Sequence, residues 1–442
     1  MNMTFGAHPP RHGSMTSRIL AWLCEPNASS TPLARRLVFT SFMIANFLVF
    51  ITIAYGYGPS MTPDGHRDHA LGVVLAETGF NLQLDSERVA TLRRQHDMVQ
   101  TPLPYFLYHS LLGIAHLIAG ENWLNLWVLI NAVGQTVVSG ILLLLASRLF
   151  HSRAAFLGMG ALTIGCWEHL QWISLSQSDT LFGLPVLGAL LLVYRQWTSR
   201  TFGTSAAWAL AATLVTLAAA FFRPTAVALV AFMLIAIVWG LFVFGKRVEY
   251  KARLLRRWLP ILIAALLATL PVLILPMFDP SLLPEGSIRD SFSTYHERAA
   301  LGMIVWDRPE YTISAPQGYG GYFFIALYRL FYFFLFVADG FSPAHNIINV
   351  LFFIPFYAFS AIGVWSVMRE STAILPQIRL IGLFAIGLIL LFDMQHAATH
   401  VDFDWRYRSP TYPAMFLLAT IGLEFVLMAY RDRLRNASSG SN

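Results

Sequence analysis

Charged residues are scarce in this chain, so the places where they collect are the places to look for chemistry. Of 442 residues only 12% are Asp, Glu, Lys or Arg. One cluster lies in PSMTPDGHRDHALGVVLAETGF, where Asp64 and Asp68 stand four residues apart with His66, Arg67 and His69 between and beside them. On a helix the two aspartates share a face. That pairing suits a general base and its orienting partner, or a hard divalent cation; a solvated loop has the same composition. A second cluster, WEHLQWISLSQSDTLF, sets Glu168, His169 and Asp179 between long apolar runs. Carboxylates at membrane depth are costly and are functional candidates on that ground, although Ser178 and Asp179 ahead of an apolar run also read as a helix N-cap. In FFRPTA, Arg223 stands where a lipid phosphate would lie, or where a long side chain would snorkel to water. The last cluster, HVDFDWRYRSPTYP, spans His400 to Pro413 and packs Asp402, Asp404, Arg406 and Arg408 among aromatic residues.

The elements that hold these clusters are membrane helices. The chain is 56% hydrophobic with a mean hydropathy of +0.57, too apolar for a soluble domain of this length. Apolar segments of about 20 residues recur, each enough to cross a ~30 Å hydrocarbon core. Candidate spans are 37–55, 123–147, 154–172, 180–196, 204–222, 224–244, 258–277, 346–367, 378–394 and 411–430. Arg35 and Arg36, Arg148 with Arg153, Arg195 with Arg200, the basic stretch from Lys246 to Arg257, Arg369 with Arg379, and Arg431 to Arg435 mark cytoplasmic loops. Keeping all of them inside requires that the apolar stretches 103–119 and 322–338 do not span. His109 and His116 interrupt the first, and Tyr328 and Arg329 the second, as residues at a headgroup boundary would. The expected fold is therefore an all-α polytopic membrane protein with about ten transmembrane helices plus interfacial helices in its outer loops. Residues 1–35 form a cytoplasmic tail, 36–431 a single transmembrane domain with outer loops 56–122 and 278–321, and 432–442 a second tail. In that topology every polar cluster described above falls on the outer face.

The rest of the sequence mainly excludes. Cys24 and Cys166 form neither a disulfide frame nor a thiolate metal site. There is no zinc motif, phosphate-binding loop or nucleophile elbow, and the Gly-Tyr-Gly-Gly near 320 lacks the strand and helix of a nucleotide fingerprint. The +6 charge lies in short loops, as the positive-inside rule predicts, and does not point to nucleic acid.

Taken in order, these pieces resemble the GT-C glycosyltransferases, in the branch of the protein O-mannosyltransferases and lipid A aminoarabinose transferases. The resemblance rests on Asp64 followed by GVVLAETG (Gly72 to Gly79), the proline-led TPLPYFLYHSLLG, SQSDTLF with Asp179, the Arg223-Pro224-Thr225 segment, and RYRSPTYP from Arg406 to Pro413. It departs from the family in lacking an adjacent Asp-Glu pair in the first loop, which leaves Asp64 and Asp68 both open as the base. It also carries Thr101-Pro102 where relatives have His-Pro or Pro-Pro, and no C-terminal outer domain.

The resemblance implies an integral enzyme that takes a sugar from a polyprenyl-phosphate carrier and transfers it, with inversion, to a lipid-linked glycan or another small acceptor. The membrane would be a bacterial inner membrane and the site would face the periplasm. Asp64, or else Asp68, would take the acceptor proton. Asp179 would position the acceptor, and Arg406, with Arg223 and Arg408, would meet the leaving phosphate. Tyr407, Trp405, His66 and Glu168 would contact the substrates. Members differ in metal need, so Mg2+ or Mn2+ held by Asp64 and Asp179 is compatible with the resemblance. Asp402 and Asp404 have a plainer role open to them, neutralising Arg406 and Arg408. A transporter or flippase of lipid-linked saccharides is the alternative, against which stand the scarcity of polar residues at mid-span and the lack of an internal repeat.

Overall fold

The computed structural model describes residues 32–80, 87, 105–278, 281, 327–338, 341–369, 374–399 and 405–439, apart from the side chains of 32–36, 262, 265–278, 398–399, 405–406 and 434–439. Most of the N-terminal tail, the outer loop 278–321 except for its first residue and Ser281, and Asp402 and Asp404 lie outside the described residues. Backbone groups in hydrocarbon must be satisfied within the segment, which leaves apolar runs little choice but helix. The helices are α1 (Pro32–Tyr57), α2 (Pro63–Glu77), α3 (Phe106–Ala119), α4 (Trp123–Leu149), α5 (Arg153–Gly165) and α6 (Asp179–Thr198). They continue as α7 (Phe202–Phe222), α8 (Ala226–Phe242), α9 (Val248–Phe278), α10 (Pro343–Met368), α11 (Pro376–Thr399) and α12 (Tyr412–Ser439). Among the described residues seven helical runs are long and apolar enough to cross a membrane. The chain is a multi-pass, helical membrane protein.

One of those runs, Phe106–Leu149, has 44 residues, about 66 Å of helix and twice a bilayer core. It is interrupted after α3, where Gly120 adopts φ 54° and opens the 3-10 turn Gly120–Asn122. The sequence reads His109 as a boundary residue; the structure instead turns it into the bundle, fully buried against α2. The reason is a close parallel crossing. A Cβ on Gly72 would lie 2.7 Å from the His109 carbonyl, and one on Gly113 would collide with the Gly72 carbonyl, so only glycine allows the two backbones to meet. In the other ambiguous stretch, helix ends at residue 332 and residues 335–338 run without helix.

A second difference concerns the expected span 154–172. Regular helix stops at Gly165, and the chain continues as the single turn Trp167–Leu170, the 3-10 turn Gln171–Ser174 and an irregular segment up to α6. Such backbone is tolerated inside a membrane protein only when other groups satisfy it. Asn131 of α4 donates to the Ile173 and Leu175 carbonyls, both at 3.1 Å, and Gln135 donates to that of Thr180.

Helix ends at the opposite pole of the bundle are met by buried charge. Glu424 of α12 accepts from the backbone N–H of His151 (3.0 Å) and Ser152 (3.3 Å) and from the Ser152 hydroxyl, while Ser152 itself caps α5. A carboxylate at a helix N-terminus is favoured by the helix dipole. Lys251 donates to the Trp197 carbonyl in the last turn of α6 (2.6 Å), and Arg256 to that of Met368 at the end of α10 (3.2 Å). Part of the Lys246–Arg257 charge therefore serves helix C-termini, a role the loop-charge rule does not see.

The tightest helix pair is α10 with α12. A Cβ on Gly363 would strike the Leu418 carbonyl, and one on Gly422 the Phe359 carbonyl. Replacing Gly422 by Leu should destabilise the protein by about 1–3 kcal/mol or more, read as a lower Tm in detergent. Gly203→Leu, at a helical position with nothing within 4 Å, should leave Tm within about a degree.

Candidate active site

Three stretches remote in sequence meet at one end of the bundle. Residue Ser60, just ahead of α2, forms a parallel bridge with Leu175: its N–H donates to Ser174 (3.0 Å), and the Ser176 N–H returns to Ser60 (3.3 Å). Thr62 caps α2 by accepting from Gly65 N–H (3.0 Å) and also accepts from the Gln177 amide (3.3 Å). Gly65 lies so close to Ser176 that any side chain there would collide with it. From α3, Tyr108 donates its hydroxyl to the Ser176 carbonyl at 3.0 Å. The segment Ser174–Asp179 is thereby clamped between α2, α3 and α4.

Within this clamp two charge units form. In the first, Arg67 donates through Nε (3.0 Å) and Nη2 (2.9 Å) to one oxygen of Asp68, and through Nη1 to Asp64 (3.2 Å). His109 Nε2 lies 3.3 Å from the same Asp68 oxygen. The spacing explains the meeting: Asp68 and His109 each sit one helical turn before the glycine at which α2 and α3 cross. Burial alone would raise the Asp68 carboxyl, but the His109 hydrogen bond and charge and the Arg67 guanidinium outweigh it and hold the group below its ordinary value. Asp64 is the accessible partner, with 40% of its side chain exposed.

In the second unit Asp179, the first residue of α6, pairs with Arg223, the C-cap of α7. Arg223 also reaches the Ser178 hydroxyl (3.4 Å) and packs 5.4 Å from the Tyr407 ring centroid. It is 4% exposed, so it is turned into the protein and does not snorkel. Ser178 makes no side-chain cap of α6. The two units share surroundings: the Tyr105 hydroxyl, raised by burial, feels the charges of Arg223, Asp68, Asp179 and Arg67 together.

The remaining candidates are placed differently. Glu168 is buried and met by His345 (2.8 Å), Asn349 (2.7 Å) and Gln171 (2.9 Å). Arg408 is buried over the Phe353 ring; it donates to the Tyr412 hydroxyl (2.8 Å), the Phe333 carbonyl (3.3 Å) and the Leu335 carbonyl. That makes it a tie between the start of α12 and the 333–335 strap. Tyr407 stands beside Arg223, with its ring 5.7 Å from that of His396. His66 is exposed on α2. Trp405 and Arg406 open the 3-10 turn Trp405–Thr411, and their side chains lie outside the described residues.

The sequence reading missed His109, Tyr105, Tyr108, Asn131, Gln135 and His345 as parts of this end of the bundle. Only His109 carried a usable signal, the matched Asp68/Gly72 and His109/Gly113 spacings. A divalent cation fits the described residues poorly, because Asp64 and Asp179 each already face an arginine and no three metal-binding side chains gather among them.

His169 is bound by Gln135, the same side chain that holds the Thr180 carbonyl. The Gln135 side-chain oxygen accepts from His169 Nε2 (2.7 Å), and His169 Nδ1 lies 3.2 Å from the Ser409 hydroxyl.

Compared with family models, with curated proteins and with solved structures, the chain has no match in any of the three.

Proposed function

We propose that this protein is an integral membrane glycosyltransferase. It moves a sugar from a polyprenyl-phosphate carrier to a lipid-linked glycan or another small acceptor, with inversion, on the periplasmic face of a bacterial inner membrane. The proposal includes a GT-C-like topology of about ten spans. One observation carries it: the Asp64–Arg67–Asp68–His109 unit and the Asp179–Arg223 pair, whose aspartates are more than a hundred residues apart in the chain, are brought together by the segment Ser174–Asp179, which packs against Gly65 of α2 and accepts from Tyr108 of α3.

The chemistry asked of these residues is simple. Inverting transfer needs a carboxylate on the acceptor side and positive charge on the phosphate side. Asp64, exposed and anchored from below by Arg67, takes the acceptor hydroxyl proton as that oxygen bonds to the anomeric carbon. Asp68, enclosed by Arg67 and His109, keeps the guanidinium and hence Asp64 in position. The bond between the anomeric carbon and the phosphate oxygen breaks, and its electron pair leaves on the polyprenyl phosphate. Arg223, oriented by Asp179, Ser178 and Tyr407, stabilises that charge together with Arg406 of the neighbouring turn.

Purified protein supplied with polyprenyl-phosphate sugars and candidate acceptors tests the reading. Asp64→Asn should lower kcat by about a hundredfold or more, and Asp68→Asn should cost less because it acts through Arg67. Movement of intact donor by the wild type, with no cleavage of the sugar–phosphate bond, would sink the transferase reading in favour of a transporter.

A further inference from the structure

The other pole of the bundle holds a cleft of about 530 Å3 between the C-terminal ends of α4 and α6 and the start of α11. This falls within the ~300–1,000 Å3 typical of small-molecule sites. Among the described residues its ionisable lining consists of Arg148 from the last turn of α4 and Arg195 from the last turn of α6, with the Tyr194 phenol, and includes no carboxylate. Both guanidiniums are exposed, and neither has a carboxylate partner among the described residues. Gln377 adds amide N–H donors. The remaining lining is aliphatic, with Leu144 and Leu375 each 41% exposed. Arg195 lies sixteen residues along α6 from Asp179, about 24 Å of helix rise, so this cleft is separate from the candidate active site.

We propose that the cleft binds the phosphodiester headgroup of an anionic phospholipid, with the lipid's first acyl carbons against Leu144, Leu191 and Leu375. The argument is complementarity of two kinds. Two cations from different helices in one concavity select a phosphate, since a guanidinium matches phosphate oxygens bidentately, and basic pockets between membrane helices suit anionic headgroups. The leucines select an amphiphile, because a free inorganic anion gains nothing from them. Both helices are membrane-spanning by length and composition, so lipid is the abundant ligand at this site. A headgroup bridging Arg148 and Arg195 would tie α4 to α6, the two helices that also hold the segment Ser174–Asp179.

The test uses full-length protein in phosphatidylcholine nanodiscs titrated with phosphatidylglycerol, with bound lipid counted by native mass spectrometry after extraction. Phosphatidylglycerol should be retained at least tenfold over phosphatidylcholine. Arg148→Gln and Arg195→Gln should each weaken retention about fivefold, and the double variant more than tenfold. Arg200→Gln, an exposed position outside the cleft lining, should change nothing. Both target side chains are exposed, and an unchanged elution profile checks that the variants fold. Equal retention of the two lipids, or an unaffected double variant, would reduce these arginines to snorkelling side chains and overturn the proposal. Equal loss in Arg200→Gln would mean a diffuse field, and displacement by millimolar inorganic phosphate a plain anion site; either also overturns it.

Discussion

Taking an ionised side chain out of water costs several kcal/mol unless an opposite charge or a set of hydrogen bonds meets it, and the arrangement of this bundle follows from that cost. Asp68, Asp179, Glu168, Glu424, Arg67, Arg223, Arg408 and Lys251 are all buried. The carboxylates meet partners from other parts of the chain: His109 for Asp68, which its neighbour Arg67 also holds, Arg223 for Asp179, and His345 and Asn349 for Glu168. Glu424 and Lys251 use helix ends as partners, and Arg408 uses carbonyls. Each helix that carries such a group can therefore dock in only one rotation.

Close approach of backbones makes the pairing at the candidate site geometrically feasible. Were Gly72 and Gly113 larger, α2 and α3 would separate, and the 3.3 Å contact between Asp68 and His109 would be lost with them. Gly65 against Ser176 does the same for the helix start and the clamped segment. The polar residues Asn131 and Gln135 of α4 then satisfy carbonyls of the 173–175 stretch and of the first turn of α6. Glycines, buried amides and the charge units act as one assembly, with side chains held by neighbours whose own positions are fixed.

Positive charge has two duties in this protein. The basic stretch after α8 counts as a topology signal, yet Lys251 and Arg256 are spent on the carbonyls at the ends of α6 and α10. Arg148 and Arg195, by contrast, line an open cleft with no acid among its described residues. The two poles of the bundle differ accordingly: both satisfy buried charges internally, and the second also presents cations in an open cleft.

The sequence by itself determined the class of the molecule. Apolar runs of bilayer length in a chain with 12% charge admit little besides a bundle of membrane helices, because hydrocarbon leaves the backbone no other solution. It also marked Asp64, Asp68, Asp179 and Arg223 as the residues to watch, since isolated charges beside long apolar runs stand out locally. What only the tertiary structure decided was partnership. Nothing local in FLYHSLLG says that His109 faces Asp68, or in WEHL that Glu168 is enclosed by His345 and Asn349 from α10. Those contacts join residues separated by 41, 177 and 181 positions, and they exist because helix crossings and buried-charge pairing select one packing among many that the same apolar faces would allow.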